Sequence, residues 1–307
     1  MANKIPRFPA FKCLSLDDRA EVDHFIRKFP PYSDFNFASI WSYDTCGDHA
    51  LAWLNGNLVV RLRDYLTGEP IFTFLGTQDI PATIETLFEY SSGMGLRHSL
   101  RLLPENVYTQ CNGSLASRFD FAEDEASFDY ILDLTVLEAM AAPGLGSKRR
   151  QITKLRREHP DLEVRTLDLT EAAMRGCIMR LCETWRAEKK RDRCEFATER
   201  IAIERAINDA RHFQFVAVGA YVAGVLVGFT INEPVHDRFF MAHFGKTDPK
   251  LPGLCEFLES ETARIMRAFG CSWMNYQQDL GLLGLRQYKR SWGHYRFLKK
   301  LNISEKS

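Results

Sequence analysis

The chain has 307 residues, of which 45% are hydrophobic and 26% charged; this composition excludes disordered and fibrous proteins, and the length predicts two domains rather than a single core. The net charge is zero, but residues 1–125 carry 11 Lys and Arg against 17 Asp and Glu, a net charge of −6, and residues 126–307 carry 29 against 23, a net charge of +6. The difference between the halves is either chance variation in solvated surface or a sign that the second half faces an anionic partner.

The first half opens with a helix and continues with a hairpin. Ser15 is a candidate N-cap, and apolar residues follow at helical spacing until Pro30-Pro31 ends the run. Asn55-Gly56 then predicts a tight turn, because these residues tolerate positive φ. The elements predicted around and after this turn are strands at Ala50–Leu54, Leu58–Arg63 and Pro70–Leu75, a helix at Pro81–Ser91, a strand at Ser99–Leu103 and a short helix.

Between the two halves, helices dominate the prediction. They are a helix at Leu145–Arg157, a strand at Leu162–Leu167 and helices at Thr170–Lys189 and Phe196–Ala210. The first of these helices has a narrow apolar stripe and six cations: Lys148, Arg149, Arg150, Lys154, Arg156 and Arg157. It is either a solvated helix matched by nearby acids or an anion-binding ridge for a tRNA backbone or anionic lipid headgroups.

The order of elements in the first half recurs in the second. The predicted elements are a hairpin of Phe215–Val222 and Val225–Asn232, a strand at Phe239–Phe244, a helix at Gly253–Ala268, a strand at Ser272–Tyr276, a helix at Leu280–Arg290 and a strand at Tyr295–Leu301. This repetition indicates two copies of one supersecondary plan. We predict an α/β protein with mixed sheets, built from two lobes at residues 1–125 and 126–307, in the order typical of the acyl-CoA N-acyltransferase (GNAT) fold.

Several classes of site and location are disfavoured. None of the eight cysteines forms a Cys-x-x-Cys pair and no histidine cluster has zinc spacing, so we predict reduced thiols in the cytoplasm and no metal. The N-terminus has no apolar signal region that would direct export. Val216–Ile231 is nearly all apolar, but it is shorter than the ~20 residues of a membrane-spanning helix and contains the turn Ala223-Gly224. We therefore predict two strands there and no transmembrane segment.

The sharpest motif lies between residues 275 and 289. It reads Asn275-Tyr-Gln-Gln-Asp279-Leu-Gly281-Leu-Leu-Gly284-Leu-Arg286-Gln-Tyr-Lys289. In this form it resembles a motif of the phosphatidylglycerol lysyltransferase C-terminal domain-like family: Asn, then Asp-Leu-Gly, then Gly-Leu-Arg, then Lys. His243-Phe-Gly-Lys246 also resembles the His-x-x-Lys of that family. The sequence departs from the family at Tyr276, Gln277 and Gln278, where a basic and two acidic residues are usual.

The resemblance implies a fold and a chemistry. The fold is a tandem GNAT-like one, related to the Fem-type transferases that move an amino acid from aminoacyl-tRNA to an amine or hydroxyl. The implied function is transfer of an aminoacyl or acyl group from an activated donor, with aminoacyl-tRNA favoured and no tightly bound cofactor. The alternatives are an acyl-CoA-dependent N-acetyltransferase and a non-catalytic protein that binds an anionic small molecule or partner. The loop 246–253 disfavours CoA, because one glycine and two prolines make a poor pyrophosphate cradle.

The candidate catalytic residues are Asp279, Arg286, Lys289 and Asn275. Asp279 is either a helix N-cap or the group that orients or deprotonates the acceptor. Arg286 and Lys289 share a helix face and form either a solvated pair or a phosphate or carboxylate clamp, while Leu282 and Leu285 are expected on the buried face. Asn275 either holds a carbonyl or closes the turn. The candidate substrate-binding residues are Lys246, His243, Lys148, Arg149, Arg150 and Lys154.

Overall fold

The computed structural model describes residues 4–96, 99–110, 115, 117–140, 142–189 and 193–306. Its strands are β1 (Lys12–Cys13), β2 (Ala50–Leu54), β3 (Asn57–Arg63), β4 (Pro70–Leu75), β5 (Ser99–Pro104), β6 (Phe119–Glu123), β7 (Asp129–Asp133), β8 (Glu163–Leu167), β9 (Val216–Val222), β10 (Val225–Pro234), β11 (Phe239–Thr247), β12 (Trp273–Asn275), β13 (Tyr295–Leu298) and β14 (Lys300–Glu305). Its α-helices are α1 (Arg19–Ile26), α2 (Phe37–Tyr43), α3 (Ile80–Gly93), α4 (Asn106–Gln110), α5 (Leu134–Ala139), α6 (Gly146–Glu158), α7 (Ala172–Glu188), α8 (Arg193–Asn208), α9 (Leu254–Ala268) and α10 (Leu283–Arg290).

The first compact unit comprises residues 1–129, 278–283 and 297–307. Its sheet has the strand order β1-β2-β3-β4-β5-β14-β6, in which β4 and β5 are parallel and the other neighbours antiparallel. Its core contains Phe74 from β4, Leu87 from α3 and Ile303 from β14, all fully buried. Helix α3 therefore covers a face of this sheet, as a helix with one apolar stripe must.

The second compact unit comprises residues 130–277 and 284–296. The second sheet has the order β13-β7-β12-β11-β10-β9-β8, with β11 and β12 parallel and the hairpin β9–β10 antiparallel. One core cluster joins Phe240 and Met274 of the sheet to Met266 of α9 and Trp292. A second joins Leu155 of α6 to other apolar residues of the sheet and α9. Helices α6 and α9 thus owe their positions to apolar burial.

Both predicted hairpins form around tight turns. Asn55 and Gly56 have φ of 51° and 80°, and Ala223 and Gly224 have φ of 49° and 74°. Two successive residues with positive φ match the right-handed twist of the strands that they join. The apolar stretch that spans the second turn is the pair of strands β9 and β10. Among the described helices, none combines the length and the apolar run that crossing a bilayer requires.

The two sheets repeat one order of elements. A hairpin is followed by a strand, a helix, a parallel strand and another helix, first in β2, β3, β4, α3, β5 and α4 and again in β9, β10, β11, α9, β12 and α10. The chain is therefore an α/β protein of two tandem GNAT-like units with mixed sheets, and the predicted fold class is confirmed.

The two compact units are not separated by a single boundary at residue 125, because the C-terminal residues 297–307 belong to the first unit. One strand was expected at 295–301, but β13 belongs to the second sheet and β14 to the first. In β14, Ile303 pairs with Leu100 of β5 on one side and with Phe121 of β6 on the other. Strand β14 is thus an interior strand of the first sheet, and burial of Ile303 stabilises it there. This pairing joins segments that are far apart in the chain, so no local sequence pattern predicts it.

A buried ion cluster lies where β14 begins. The Lys300 ammonium contacts the carboxylate of Asp34 and lies 2.8 Å from Asp129 Oδ1, and all three side chains are fully buried. Ser33 donates its N–H and its hydroxyl to Asp129 at 2.8 and 2.6 Å. Tyr65 donates its hydroxyl to Asp34 at 3.0 Å. Burial alone would lower the pKa of Lys300, but the two carboxylates raise it, so the ammonium stays charged.

Candidate functional site

The site begins where β11 and β12 separate. The two strands pair over Phe239–Met241 and Trp273–Asn275. Beyond these residues β11 continues to Thr247, whereas the chain after β12 turns into the segment that leads to α10. His243 is the extra residue of a β-bulge, because its neighbours Ala242 and Phe244 pair with two successive residues of β10. A bulge beside splayed parallel strands re-aims side chains, which is a common setting for functional residues.

Residues 275–289, which we term the corner segment, form the predicted strand-to-helix connection. Asn275 is fully buried, and its Oδ1 accepts the N–H of Gln277 at 2.7 Å. Of the two roles considered for Asn275, the structure shows the closing of the turn. Gln277, Leu280 and Gly281 have φ of 57°, 56° and 71°, so the segment bends sharply several times before α10.

Asp279 is a turn-forming residue of the corner segment. It is fully buried, its Oδ1 accepts the N–H of Gly281 at 2.8 Å, and its carbonyl accepts the N–H of Leu282 at 3.0 Å. Helix α10 starts only at Leu283, so Asp279 caps the turn that precedes the helix. Asp279 lies in the first compact unit, and Arg286 lies in the second. A role for Asp279 in the reaction stays a prediction.

Lys289 holds the backbone of the corner segment. It is only 4% exposed, and its ammonium donates to the carbonyls of Tyr276 and Gln277 at 2.5 and 3.1 Å. The ammonium also lies 4.9 Å from the centre of the Tyr276 ring. Lys289 therefore ties the end of β12 to α10, while Arg286, three residues earlier, is half-buried.

The expectation for Leu282 was wrong. It was expected on the buried face of a helix starting at Leu280, but the helix starts at Leu283 and Leu282 is 38% exposed. Leu285 is half-buried. The positive φ of Leu280 and Gly281 and the turn capped by Asp279 delay the helix by three residues, which moves Leu282 off the helical face.

Lys246 and His243 are both engaged by acidic side chains of the second unit. The Lys246 ammonium lies 2.6 Å from Glu199 Oε1 and 4.5 Å from the centre of the Trp185 ring. His243 Nε2 lies 3.4 Å from Glu233 Oε2, with the histidine side chain 1% exposed. Both residues lie at the splayed end of β11, but their present partners are protein groups, which a substrate anion would have to displace.

The basic helix α6 divides into a buried and an exposed part. Lys148 is 8% exposed; its ammonium lies 3.3 Å from Glu256 Oε1 and 4.5 Å from the centre of the Trp292 ring. Lys148 therefore supports packing and does not belong to an exposed ridge, which corrects its predicted role. Arg149 donates to the carbonyl of Met140.

The exposed part of α6 forms a basic stripe. It consists of Arg150, Lys154 and Arg157, all exposed, which line an open groove together with Gly146, Arg149 and Thr153. Positions 150, 154 and 157 recur at the spacing of one helix face. Lys154 has a weak ion pair with Glu158 at 3.8 Å. The stripe is the exposed part of the predicted ridge.

We expect Lys148→Ala to lower the free energy of unfolding by about 3 kcal/mol, because it leaves Glu256 without its cation in a largely buried site. Arg150→Ala, on the exposed side of the same helix, should change it by less than about 0.5 kcal/mol. Urea denaturation of both variants measures the difference. Equal effects would show that our division of α6 is wrong.

The loop between β11 and α9 uses its N–H groups internally. Asp248 donates to the carbonyl of Val227 at 2.7 Å, Lys250 to Asp248 Oδ1 at 2.9 Å and Leu251 to the carbonyl of Asp248 at 3.1 Å. Pro249 and Pro252 have no N–H to offer. At Gly253, an added Cβ would lie 2.8 Å from the backbone of Gln151, so the loop packs tightly on α6. These contacts leave little of the N–H cradle that binds a pyrophosphate at a helix start.

Four titratable side chains beside the corner segment form a polar network that the sequence analysis missed. Cys255 Sγ lies 3.0 Å from the Tyr288 hydroxyl, and the Tyr276 hydroxyl donates to Glu259 Oε1 at 2.5 Å. Burial raises the pKa of Glu259 to about 7, although Tyr276 and the charge of Lys289 act to lower it. The sequence does contain a sign that Glu259 is unusual. Helical spacing places it on one stripe of α9 with Cys255, Thr262 and Met266, so a carboxylate lies on an otherwise uncharged face.

Within the described residues, one group has the composition of a metal site: Asp44, Asp48 and His49. Protein groups already occupy its ligand atoms. Asp44 Oδ1 accepts two backbone N–H groups, Asp48 pairs with Arg63, and His49 Nδ1 lies 3.1 Å from the carbonyl of Ile40. These contacts give the three side chains a structural role in the turn before β2.

The corner segment and the fold are matched by known proteins. The family model described as "Phosphatidylglycerol lysyltransferase, C-terminal" matches residues 45–298, which is most of the chain. The chain belongs to this family. The match includes the corner segment, α6 and all seven strands of the second sheet. No curated protein matches the chain at a significant level.

Solved structures share the fold of this chain. A conserved protein of unknown function from Bacteroides thetaiotaomicron is 24% identical, with a TM-score of 0.84 over 96% of this chain and 99% of that chain. A C-terminal domain from Agrobacterium fabrum, described as that of a lysylphosphatidylglycerol synthetase, is 12% identical, with a TM-score of 0.64 over 95% and 93%. L-PGS from Bacillus licheniformis is 11% identical, with a TM-score of 0.62 over 94% and 91%. At these identities the likeness establishes the fold alone.

Proposed function

We propose that this protein is a cytoplasmic transferase that moves an aminoacyl or acyl group from an activated donor, with aminoacyl-tRNA as the favoured donor, to an amine or hydroxyl acceptor. The observation that carries the proposal is the basic stripe of Arg150, Lys154 and Arg157 on a unit that also holds the arginine and lysine of the family motif. An RNA donor offers a row of phosphates to such a stripe, and the +6 charge of residues 126–307 favours its approach.

In the proposed reaction, Arg286 and Lys289 of the second unit have different roles. The acceptor attacks the ester carbonyl of the donor, an oxyanion develops on the carbonyl oxygen, and the ester C–O bond breaks as the leaving oxygen takes up a proton. Arg286 supplies positive charge to the developing oxyanion or to the neighbouring phosphate. Lys289 keeps the corner segment in shape through the carbonyls of Tyr276 and Gln277.

The loop that precedes α9 supports an RNA donor over CoA. Its N–H groups at 248, 250 and 251 donate to protein acceptors, and two of its residues are prolines. A CoA pyrophosphate would have to break these contacts before it could bind there. Calorimetry with acetyl-CoA is expected to show no binding in the micromolar range, and such binding would instead favour an acyl-CoA-dependent N-acetyltransferase.

The test of the proposal is transfer from charged tRNA. The protein is incubated with tRNA carrying a mixture of labelled amino acids and with a set of amine and hydroxyl acceptors, and acid-stable product is measured. Label should move to an acceptor in the presence of the protein. Tight binding of tRNA without turnover on any acceptor would indicate a non-catalytic protein and would contradict the proposal.

The basic stripe should carry the tRNA affinity. The double variant Arg150→Glu/Arg157→Glu is expected to weaken tRNA binding by at least about tenfold. The slope of log K against log salt concentration should become shallower by about two, which corresponds to the loss of two phosphate contacts. The control is Arg165→Glu/Arg264→Glu, which changes the net charge equally at two other exposed positions of the second unit. Fluorescence titration at several salt concentrations measures both. Equal losses in the two variants would mean that only net charge matters.

A further inference from the structure

The polar network of the second unit is centred on Glu259. The Tyr276 hydroxyl donates its hydrogen to Glu259 at 2.5 Å. The Cys255 thiol and the Tyr288 hydroxyl form a second hydrogen-bonded pair at 3.0 Å, in which either atom can be the donor.

Glu259 is more deeply buried than the groups around it. It is 7% exposed, whereas Cys255, Tyr276 and Tyr288 are half-buried. Tyr276 directly follows Asn275, so the residue that donates to Glu259 belongs to the corner segment.

Three charged side chains act on Glu259: Lys289 on α10, Glu256 one turn earlier on α9 and Lys148 on α6. Lys148 is paired with Glu256 at 3.3 Å, and Lys289 donates to two backbone carbonyls. Glu259 itself accepts a hydrogen bond from the neutral phenol of Tyr276. Such a carboxylate takes up a proton more readily than one that is matched by a cation.

We propose that Glu259 is the general base of the transfer reaction and that it takes the proton of the acceptor through the Tyr276 hydroxyl. The proposal rests on the proposed function. As the acceptor nitrogen or oxygen bonds to the donor's carbonyl carbon, its proton passes to Tyr276 Oη and the Tyr276 proton passes to Glu259. The ester C–O bond then breaks, and the proton returns by the same route to the leaving oxygen, so that no other reactant is needed. The raised pKa of Glu259, about 7, suits proton exchange near neutral pH.

The test is the pH dependence of kcat/KM with an aminoacyl-tRNA donor. The wild-type rate should rise through an acid limb with a midpoint near 7. Glu259→Gln and Tyr276→Phe are each expected to lower kcat/KM at pH 8 by about 10²-fold or more and to remove that limb. Glu256→Gln, on the same helix and paired with Lys148, should keep it. Retention of the wild-type profile by Glu259→Gln would overturn the proposal while leaving the proposed function intact.

A second measurement needs no variant that has to fold. Infrared spectra of the wild-type protein between pH 5 and 9 should show a buried protonated carboxyl that loses its proton near pH 7. Absence of any such titration would overturn the proposal even if the variants are unstable. Absence of transfer by the wild-type protein from every donor would remove the proposed function, and the general-base role with it.

Discussion

Lys300→Ala is expected to lower the free energy of unfolding of the first unit by about 3–5 kcal/mol. The substitution leaves Asp34 and Asp129 fully buried without the ammonium that both contact. Two uncompensated carboxylates in a fully buried site are costly to keep, and one of them must take up a proton for the fold to survive. The measurement is the urea-induced transition of the first unit, followed by a probe that reports on its sheet.

The neighbouring residue provides a matched control. Lys299 pairs with Glu123 at 2.7 Å, but both side chains are at least 40% exposed. Lys299→Ala should therefore change stability by less than about 1 kcal/mol. Similar losses for Lys299→Ala and Lys300→Ala would contradict the view that burial of the ion cluster, rather than charge in this strand, is what stabilises it.

Arg286→Ala should lower kcat/KM for aminoacyl transfer by about 10²-fold or more while changing the melting temperature little. The magnitude is that of removing one donor from a developing oxyanion. Arg286 is half-buried near the start of α10, so its loss does not leave a large cavity. Asp279 is a poorer choice for this test, because it is fully buried and caps a turn, and its removal would lower stability and activity together.

Arg290 is the matched control for Arg286. It lies one turn later on α10, is exposed, and lies within 3.3 Å of the Tyr130 hydroxyl. Arg290→Ala removes the same charge from the same helix, so we expect kcat/KM within about threefold of wild type. A comparable loss of activity in both variants would show that the net charge of α10 matters and that Arg286 has no particular role.

The strongest sequence predictions concerned local chemistry. Ser15 is an N-cap as expected, although it caps the 3₁₀ turn at Leu16–Asp18 that leads into α1, and both hairpins turn at the predicted Asn-Gly and Ala-Gly pairs. The order of strands and helices in each half was predicted from these cap and turn residues and from the spacing of apolar residues. Such features depend on a few neighbouring residues, so they can be recognised without knowledge of the fold.

The candidate site was predicted less completely, because charge in a sequence does not reveal burial. Lys148 and Arg150 belong to one basic run, yet the first packs against Trp292 and the second is exposed. Glu259 was overlooked because an isolated acid in an amphipathic helix is usually solvated. Its environment arises from Tyr276 and Lys289, which are 17 and 30 residues away in the chain.

The amino-acid sequence by itself determined the α/β class, the repeated order of elements, the corner segment and the family. Only the tertiary structure decided that β14 completes the first sheet, that Lys300 is buried between two aspartates and that the Tyr276 hydroxyl donates to Glu259. The reason is physical. Turns and caps are satisfied by residues a few positions apart, whereas sheet order and the burial of a charge depend on which distant segments meet.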